Sequence, residues 1–413
     1  MPAIIIAIRF LLVSLTLTAI TYYAMSIFAA ARFFSTQPAK QDFDPRPVTI
    51  MIPLHGTDFK AYENYTQFCR QDYPEYQIVF GVCDYRDSSI PIVQKLIADF
   101  TDRDIELVIC SDTIGHNYKV SNLQNMLRRV KHEQIVIVDS DIRVGRDYLR
   151  RIVPPLSNGR VGLVTCLYRA AEAATYAGRL EAVGLTAEFA PGVLSAWLLE
   201  GVRFALGATM ATTKTKLGAV GGFQAIADYL ADDFMLGNLI SKAGYEVHLS
   251  DYAVETVQAP VGFLCMIKHQ LRWARSTRKS RPIGYLGLIL TYGTALSLLN
   301  IVANHASTFS VLLFALALVV RLTMAWLIGV HWLGDKILKK HFWLVPVKDI
   351  LSFLIWCLSL VGRKVEWRGR VFELVDDGKI GRLAKSKRTR FGTTDWPNPS
   401  IHHKRVLRIK DGD

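Results

Sequence analysis

The sequence predicts an α/β protein with a mainly parallel sheet, flanked by membrane-spanning helices. Two observations predict it. Long apolar runs lie near both ends of the 413-residue chain. Between them, short β-branched runs alternate with segments suited to helices. Strands that alternate with helices indicate a mainly parallel sheet, and ligands of such sheets bind at the carboxyl ends of the strands.

The first apolar run, Ile4–Ala31, is interrupted only by Arg9. It exceeds the length of about 20 residues that a spanning helix needs. A cleaved signal peptide is the alternative, because Ala29-Ala30-Ala31 resembles a cleavage site, but signal peptides have a shorter apolar core. The length and the absence of a lysine-rich start favour a retained anchor.

Basic residues follow this anchor closely, at Arg32, Lys40 and Arg46. Loops rich in Lys and Arg stay on the cytoplasmic side of a membrane. The central domain is therefore expected to face the cytosol, as part of a multi-pass membrane protein.

The central domain begins with strands and helices in alternation. The predicted strands are Val48–Leu54, Tyr76–Cys83, Ile105–Cys110 and Gln134–Val138. The predicted helices are Asn64–Gln71, Ile90–Asp99 and Val120–Lys131. Asp84 and Asp139 each follow a strand directly, which predicts that both lie at the ligand-binding edge of the sheet.

Two carboxylates in the segment Asp139-Ser140-Asp141 follow an apolar strand. Mg²⁺ and Mn²⁺ prefer oxygen ligands and commonly bridge carboxylates and phosphates, so we expect a metal and a diphosphate here. Isolated pairs of this kind are often turns or helix caps. Asp84 could bind a nucleoside or stabilise a turn. Lys119 lies just before a predicted helix and could bind a phosphate or be an ordinary surface residue.

The second half of the domain adds an acidic pair, Asp232 and Asp233. Acidic side chains at the start of a helix can simply stabilise it by interacting with the helix dipole. The functional interpretation makes one of them a general base that deprotonates an acceptor hydroxyl in a single displacement, and hence with inversion.

The segment from His269 to Arg275 lies just before the next apolar run. Basic residues beside a span are often anchors. The planar guanidinium of Arg272 also suits a diphosphate, and Trp273 suits packing against a sugar or a lipid.

Further spans are predicted at Ile283–Asn304 and Thr308–Trp332, with Arg321 in the second expected to face protein or an interface. The last apolar stretch, Phe342–Val361, contains Lys348 and Asp349. The tail after it holds 14 Lys and Arg against 7 Asp and Glu. Because a basic tail is expected to stay in the cytosol, we expect the last apolar stretch to be re-entrant or interfacial. The alternative is that it spans the membrane and leaves the tail outside.

The net charge of +13 could attract nucleic acid or an anionic membrane surface. The apolar flanks favour the membrane, so no nucleic-acid partner is expected. The six cysteines are scattered without a CxxC pair, which argues against a zinc site or a disulfide framework and suits a reducing compartment.

Taken together, the motifs resemble the D, D, D, (Q/R)xxRW signature of inverting GT-A glycosyltransferases, and among these the ceramide glucosyltransferase family. The resemblance covers roughly residues 45 to 285 and the membrane segments on either side. The segments that carry it are Gly81–Asp84, Lys119–Leu123, Asp139–Asp141, Asp232–Phe234 and Arg272–Trp273.

The resemblance implies a GT-A, Rossmann-like catalytic domain, a nucleotide-sugar donor and Mg²⁺ or Mn²⁺. It implies Asp84 and Lys119 at the nucleotide, Asp139 and Asp141 at the metal and Asp233 as the base. Further residues are expected at the donor phosphates or the acceptor, namely Arg272, Trp273, Asp232, His269, Gln270 and Arg275. His269 stands where the family usually has Gln or Arg, which leaves that contact and the acceptor open.

The expected organisation is an anchor and linker over 1–44, a cytosolic catalytic domain over 45–282, membrane segments over 283–362 and a basic cytosolic tail over 363–413. The expected reaction moves a hexose, glucose from UDP-glucose, to a lipid such as ceramide.

A bacterial branch associated with hopanoid gene clusters is also similar, at Val161–Tyr168, Phe204–Met210 and Glu366–Arg370. It implies a bacterial inner membrane and transfer of an N-acetylhexosamine to a phospholipid. A processive polysaccharide synthase would need more spans than the sequence offers. A non-catalytic binder of nucleotide or anionic lipid would have no need of Asp233.

Overall fold

A computed structural model of the chain describes residues 2–36, 45–367 and 370–383. The described residues form two compact units. The helical unit comprises 2–36, 168–201, 258–367 and 370–381, and the sheet unit comprises 45–167 and 202–257. Residues 168–201 thus group with the apolar helices, whereas the predicted catalytic domain of 45–282 includes them. The functional boundaries stay a prediction, and the tail beyond residue 383 lies outside the described residues.

The α-helices account for about half of the described residues. They are α1 (Pro2–Thr36), α2 (Ala61–Cys69), α3 (Ile90–Asp99), α4 (Tyr118–Leu127), α5 (Tyr148–Ile152), α6 (Tyr176–Gly184), α7 (Ala190–Glu200), α8 (Lys214–Ala219), α9 (Asp232–Lys242), α10 (Phe263–Ser280), α11 (Pro282–Gly287), α12 (Gly293–Ala303), α13 (Thr308–Ala325), α14 (Lys336–Lys340) and α15 (Leu344–Ser359). π-Helical turns at Leu185–Phe189 and Trp326–Trp332 join α6 to α7 and extend α13.

The strands form a mixed sheet of eight and a small sheet of three, in the orders β3-β2-β1-β4-β7-β6-β8-β5 and β11-β10-β9. They are β1 (Val48–Pro53), β2 (Tyr76–Val82), β3 (Asp104–Ile109), β4 (Gln134–Val138), β5 (Ile142–Arg143), β6 (Val161–Glu172), β7 (Thr209–Thr213), β8 (Glu246–Val257), β9 (Lys364–Trp367), β10 (Arg370–Leu374) and β11 (Ile380–Leu383).

The first four strands are parallel, with Val48 of β1 in register with Tyr76 of β2 and Gln134 of β4. Every residue of β1, β2 and β4 is buried, as expected for strands covered on both faces. This arrangement confirms the predicted mainly parallel α/β sheet. Since β2 and β4 are both paired with β1, their carboxyl ends meet at one edge.

The remaining strands were not predicted. β7 runs antiparallel to β4 and to β6, and β5 pairs antiparallel with the end of β8. Their effect on the site is direct, since β8 ends beside Asp141 and β7 follows the loop that contains Gly207.

In the helical unit, three helices are long and apolar enough to cross a membrane: Ala3–Thr36, Tyr176–Glu200 and Thr308–Trp332. The first and third agree with the predicted spans. The second span, predicted at Ile283–Asn304, is a helix pair bent by 60° between Pro282–Thr291 and Gly293–Ala303, and counting it as one span gives up to four. Tyr176–Glu200 was missed, and 61% of its apolar window is buried inside the protein.

The last apolar stretch forms α15, which has 16 residues. At about 1.5 Å per residue it is about 24 Å long, shorter than the roughly 30 Å hydrocarbon core. This length favours the predicted re-entrant or interfacial placement. Arg321 faces protein, as predicted, because it is 3% exposed and pairs with Asp349 of α15.

Candidate active site

Two carboxylates lie where β4 ends. Asp139 follows Val138 directly, and Asp141 is held by the end of β8. The Val257 N–H donates to the Asp141 carbonyl at 2.8 Å, and the Thr256 hydroxyl donates to Asp141 Oδ2 at 3.0 Å. The end of β8 therefore fixes both the backbone and the carboxylate of Asp141.

Lys119 lies in the first turn of α4 and points at these acids. Its Nζ is 2.6 Å from Asp139 Oδ1 and 3.5 Å from Asp232 Oδ2. Burial alone would lower the pKa of Lys119, but Asp139 and Asp232 outweigh it and raise the pKa overall. One ammonium therefore joins the end of β4 to the start of α9.

The start of α4 is fastened to the segment before α9. Asn117 caps α4 by accepting from the Val120 N–H at 3.2 Å, a common role for asparagine. Its Nδ2 donates to the Tyr229 carbonyl at 2.8 Å and to Asp232 Oδ1 at 3.4 Å. These contacts fix the position of Asp232, which is 6% exposed.

Asp233 lies beside Asp232 at the start of α9. The Phe234 N–H donates to Asp233 Oδ1 at 2.7 Å. A Cβ at Gly207 would lie 2.9 Å from Asp233 Oδ2 and 3.4 Å from Asp139 Oδ2. The backbone of Gly207 thus lies against both carboxylates, which places the acidic pair beside the end of β4.

A second glycine lets α9 approach this loop. A Cβ at Gly237 would lie 2.2 Å from the Ala205 backbone nitrogen, closer than any real contact allows, so the close packing requires glycine. Gly207 and Gly237 were not singled out from the sequence, because only the fold shows which backbone each approaches.

The acids perturb one another electrostatically. Burial, followed by repulsion from Asp139 and Asp58, raises the pKa of Asp141 to about 7. Burial, followed by repulsion from Asp232, raises the pKa of Asp233 to about 6, against the lowering effect of Lys119. Carboxyl groups with raised pKa values in one site are typical of functional sites.

The two carboxylates after β4 fit a metal that is shared with a substrate. Within the described parts of the chain, no group of three or more His, Cys, Asp or Glu side chains could hold a metal by itself. Mg²⁺ is usually bound by one or two carboxylates together with substrate phosphates. Asp139 and Asp141 therefore suit a cation that a diphosphate helps to hold.

Asp84 lies at the carboxyl end of β2, on the other side of β1 from Asp139. Its Oδ1 accepts from the Arg86 N–H at 2.9 Å, so it also shapes the turn that follows. The turn and the nucleoside interpretations are compatible, because this contact uses one carboxylate oxygen.

The signature residues of α10 lie in the helical unit. His269 Nδ1 is 2.6 Å from Glu181 Oε1, and its ring centroid is 4.4 Å from that of the exposed Trp273. Gln270 Oε1 accepts from Lys348 Nζ at 3.1 Å. The partners Glu181 and Lys348 were missed, because they lie 88 and 78 residues away in sequence.

Arg275 lies one turn further along α10 and donates to the Lys364 carbonyl at 2.8 Å. Arg272 is partly buried on the same helix. The sheet unit thus brings together Lys119, Asp139, Asp141, Asp232 and Asp233, and the helical unit presents the residues of α10. The catalytic and binding roles of both sets stay predictions.

Comparisons with known proteins agree with this fold. A mannosyltransferase from Pyrobaculum calidifontis, solved in complex with GDP-Man and Mn²⁺, is 19% identical in sequence, with a TM-score of 0.50 over 84% of this chain and 98% of that one. This likeness supports the predicted GT-A fold.

Ceramide glucosyltransferase 1 of Caenorhabditis elegans is 22% identical over 375 residues, which are 87% of this chain and 79% of that protein. The ceramide glucosyltransferase of Candida albicans is 33% identical over 129 residues, 28% of this chain and 23% of that protein. The predicted resemblance is thus confirmed at low identity. The model of glycosyl transferase family 21 matches residues 11–380, so the chain belongs to that family and is a glycosyltransferase.

Proposed function

We propose that the protein transfers a hexose, glucose from UDP-glucose, to the hydroxyl of a lipid such as ceramide, with inversion and with Mg²⁺ or Mn²⁺. The observation that carries the proposal is the placement of Asp233 beside Asp139, with Gly207 against both carboxylates. A base next to a metal-binding acid is what single-displacement transfer requires. The names of the ceramide glucosyltransferase relatives support the lipid acceptor.

In this proposal the donor lies across the carboxyl ends of β2 and β4. Asp84 binds the nucleoside, and Lys119 turns from Asp139 and Asp232 to meet the phosphates. Asp139 and Asp141 would hold a divalent cation, which would supply positive charge to the leaving diphosphate. The Mn²⁺ bound by the Pyrobaculum mannosyltransferase supports this assignment.

Asp233 accepts the proton of the lipid hydroxyl. The acceptor oxygen forms a bond to the anomeric carbon, the bond from that carbon to the phosphate oxygen breaks, and the nucleoside diphosphate leaves. A carboxyl with a pKa of about 6 is mostly ionised at neutral pH and is still basic enough to take a proton. Asp232, which Lys119 and Asn117 contact, supports the base rather than replacing it.

The residues of α10 are assigned roles from the family signature. Arg272 is assigned to the donor phosphates and Trp273 to the sugar or acceptor. His269, Gln270 and Arg275 are assigned to phosphate or acceptor contacts by position in the signature. The catalytic domain is placed in the cytosol, where nucleotide sugars are made, at a bacterial inner membrane.

A second candidate is the transfer of an N-acetylhexosamine to a phospholipid. The observation that favours it is the segment Phe204–Met210, which resembles the hopanoid-associated branch and contains Gly207.

Two experiments test the proposal. The purified protein should hydrolyse or transfer UDP-sugar only with Mn²⁺ or Mg²⁺, which separates an enzyme from a binder. Mass spectrometry of lipids from a host that expresses the protein and is fed ceramide should detect hexosylceramide. A product that carries N-acetylhexosamine on a phospholipid would instead establish the second candidate.

A further inference from the structure

The helical unit contains a polar cleft among its apolar helices. The cleft is partly open, and residues of α1, α13 and α15 line it. Its apolar wall includes Ala187 and Met324. Its polar lining includes Tyr22, Glu188, Arg321 and Asp349, which lie on four different helical segments.

Arg321 leaves one hydrogen-bond donor unused in this cleft. Its Nη2 donates to Asp349 Oδ1 at 2.6 Å, and the Thr294 hydroxyl donates to Asp349 Oδ2 at 2.7 Å. Arg321 is 3% exposed, and its Nη1 has no hydrogen-bond acceptor among the described residues. A buried donor without an acceptor is unfavourable, and more so when it is charged, so the position is suited to a ligand oxygen.

The charges around the cleft already balance. Arg321 pairs with Asp349, and Lys348 Nζ lies 3.2 Å from Glu188 Oε2. The Ser352 hydroxyl also donates to Glu188 Oε2, at 2.7 Å. An anionic ligand would add an uncompensated charge in a weakly polar setting, which is costly. An uncharged oxygen satisfies Arg321 without that cost.

Ionisable residues inside membrane segments are rare and mark functional sites. We propose that this cleft binds a membrane lipid through an uncharged oxygen, a hydroxyl or a carbonyl near its head, that accepts from Arg321 Nη1. The aromatic rings of Tyr22 and Tyr292 and the apolar wall contact the adjoining part of the lipid. That this lipid is the acceptor rests on the proposed function.

The probes are a photoactivatable ceramide and a photoactivatable phosphatidylethanolamine, each in nanodiscs with the full chain and without donor. Arg321→Lys keeps the charge beside Asp349 but removes the second donor arm. The double variant Arg321→Met with Asp349→Leu removes the pair together, which buried ion pairs often tolerate. Arg9→Lys is the matched control, because Arg9 lies on α1 outside the cleft and donates to the Ala303 carbonyl.

Labelling of α13 and α15 by at least one probe is expected to fall fivefold or more in both Arg321 variants and to stay unchanged in Arg9→Lys. The KM for the matching acceptor should rise by a similar factor, with metal-dependent donor hydrolysis unchanged. Arg321-dependent labelling without any transfer would support the lipid site and refute the proposed function. Labelling that is unchanged in both Arg321 variants, or no labelling of α13 and α15 by either probe, would overturn the inference.

Discussion

Lys119 Nζ lies 2.6 Å from Asp139 Oδ1 and connects three elements, because the same ammonium is 3.5 Å from Asp232 Oδ2. The end of β4 and the starts of α4 and α9 therefore meet at one charge. Burial, followed by repulsion from neighbouring acids, raises the pKa values of Asp141 and Asp233. A site built in this way is suited to bind positive charge and to accept a proton.

The first prediction concerns Lys119→Met, which leaves the buried Asp232 without its cation. Removing one partner of a buried ion pair is costly, and we expect a loss of about 3 kcal/mol in the free energy of unfolding. Lys131→Met is the control, because its pair with Asp104 is exposed and contributes about 0 to 1 kcal/mol. Chemical denaturation measures both, and equal losses would contradict the role of Lys119.

The second prediction concerns Asp141→Ala. We expect transfer to fall by about 10² or more, since interactions with charge that develops in the transition state are of this size, while the fold is retained. Mn²⁺ binding in the presence of UDP, measured by electron paramagnetic resonance, should weaken in parallel. Asp112→Ala is the control, because Asp112 is a more exposed acid that pairs with Arg128. It should reduce neither transfer nor Mn²⁺ binding. Full activity of Asp141→Ala in the presence of a chelator would exclude the metal role.

The third prediction concerns Asp233. With a pKa of about 6 in the free protein, the base is protonated below that pH, so kcat/KM should fall about tenfold per pH unit on the acid side. Asp233→Asn should lose about 10² to 10⁴ in kcat while it keeps donor binding. Asp232→Asn is the comparison, and a larger loss in that variant would make Asp232 the base.

The raised pKa of Asp233 also makes the free energy of unfolding depend on pH. The direction of this dependence is opposite to that for a salt-bridged acid, whose pKa is lowered. The folded-state pKa of about 6 exceeds the ordinary 3.8, so protonation favours the folded state. This stabilisation is present at low pH and is lost as the pH rises from about 4 to about 6. The free energy of unfolding of Asp233→Asn should therefore decline less over that pH range than that of the parent protein. A decline identical to that of the parent protein would show that the pKa is not raised.

The fourth prediction concerns Gly207→Ala. The added Cβ would lie 2.9 Å from Asp233 Oδ2 and would displace it. A displacement of about 1 Å can cost about 10² in rate, so kcat should fall by that order while the fold persists. Gly218→Ala is the control, because a Cβ there meets nothing within 4 Å. If both variants keep full activity, the contact between Gly207 and Asp233 is not functional.

The parallel half of the sheet was predicted well because its strands are buried on both faces and appear as apolar runs. Ile90–Asp99 and Gln134–Val138 match the predicted bounds, and β1 differs by one residue. β6 to β8 were missed. Their residues pair across long sequence separations, as Ile142 does with Thr256, and no local pattern reveals such pairs.

The residues of the candidate site were predictable individually, but their partners were not. The pattern of Asp139 and Asp141 after an apolar strand indicated metal ligands, whereas the ion pair of Lys119 with both acids depends on the packing of α4 against the segment before α9. Likewise, Arg321 was expected to face protein, but its partner Asp349 follows from the packing of α13 and α15.

The most direct test of the account is the configuration of the sugar in the product. The purified protein in nanodiscs would be given UDP-glucose, in which the sugar is α-linked, with ceramide and Mn²⁺, and the lipid product analysed by NMR. Single displacement with Asp233 as the base predicts a β-linked glucosyl lipid. An α-linked product would contradict the mechanism and the role of Asp233. The absence of any glycosylated lipid, with ceramide or with phosphatidylethanolamine and with either UDP-glucose or UDP-N-acetylglucosamine, would contradict the proposed function itself.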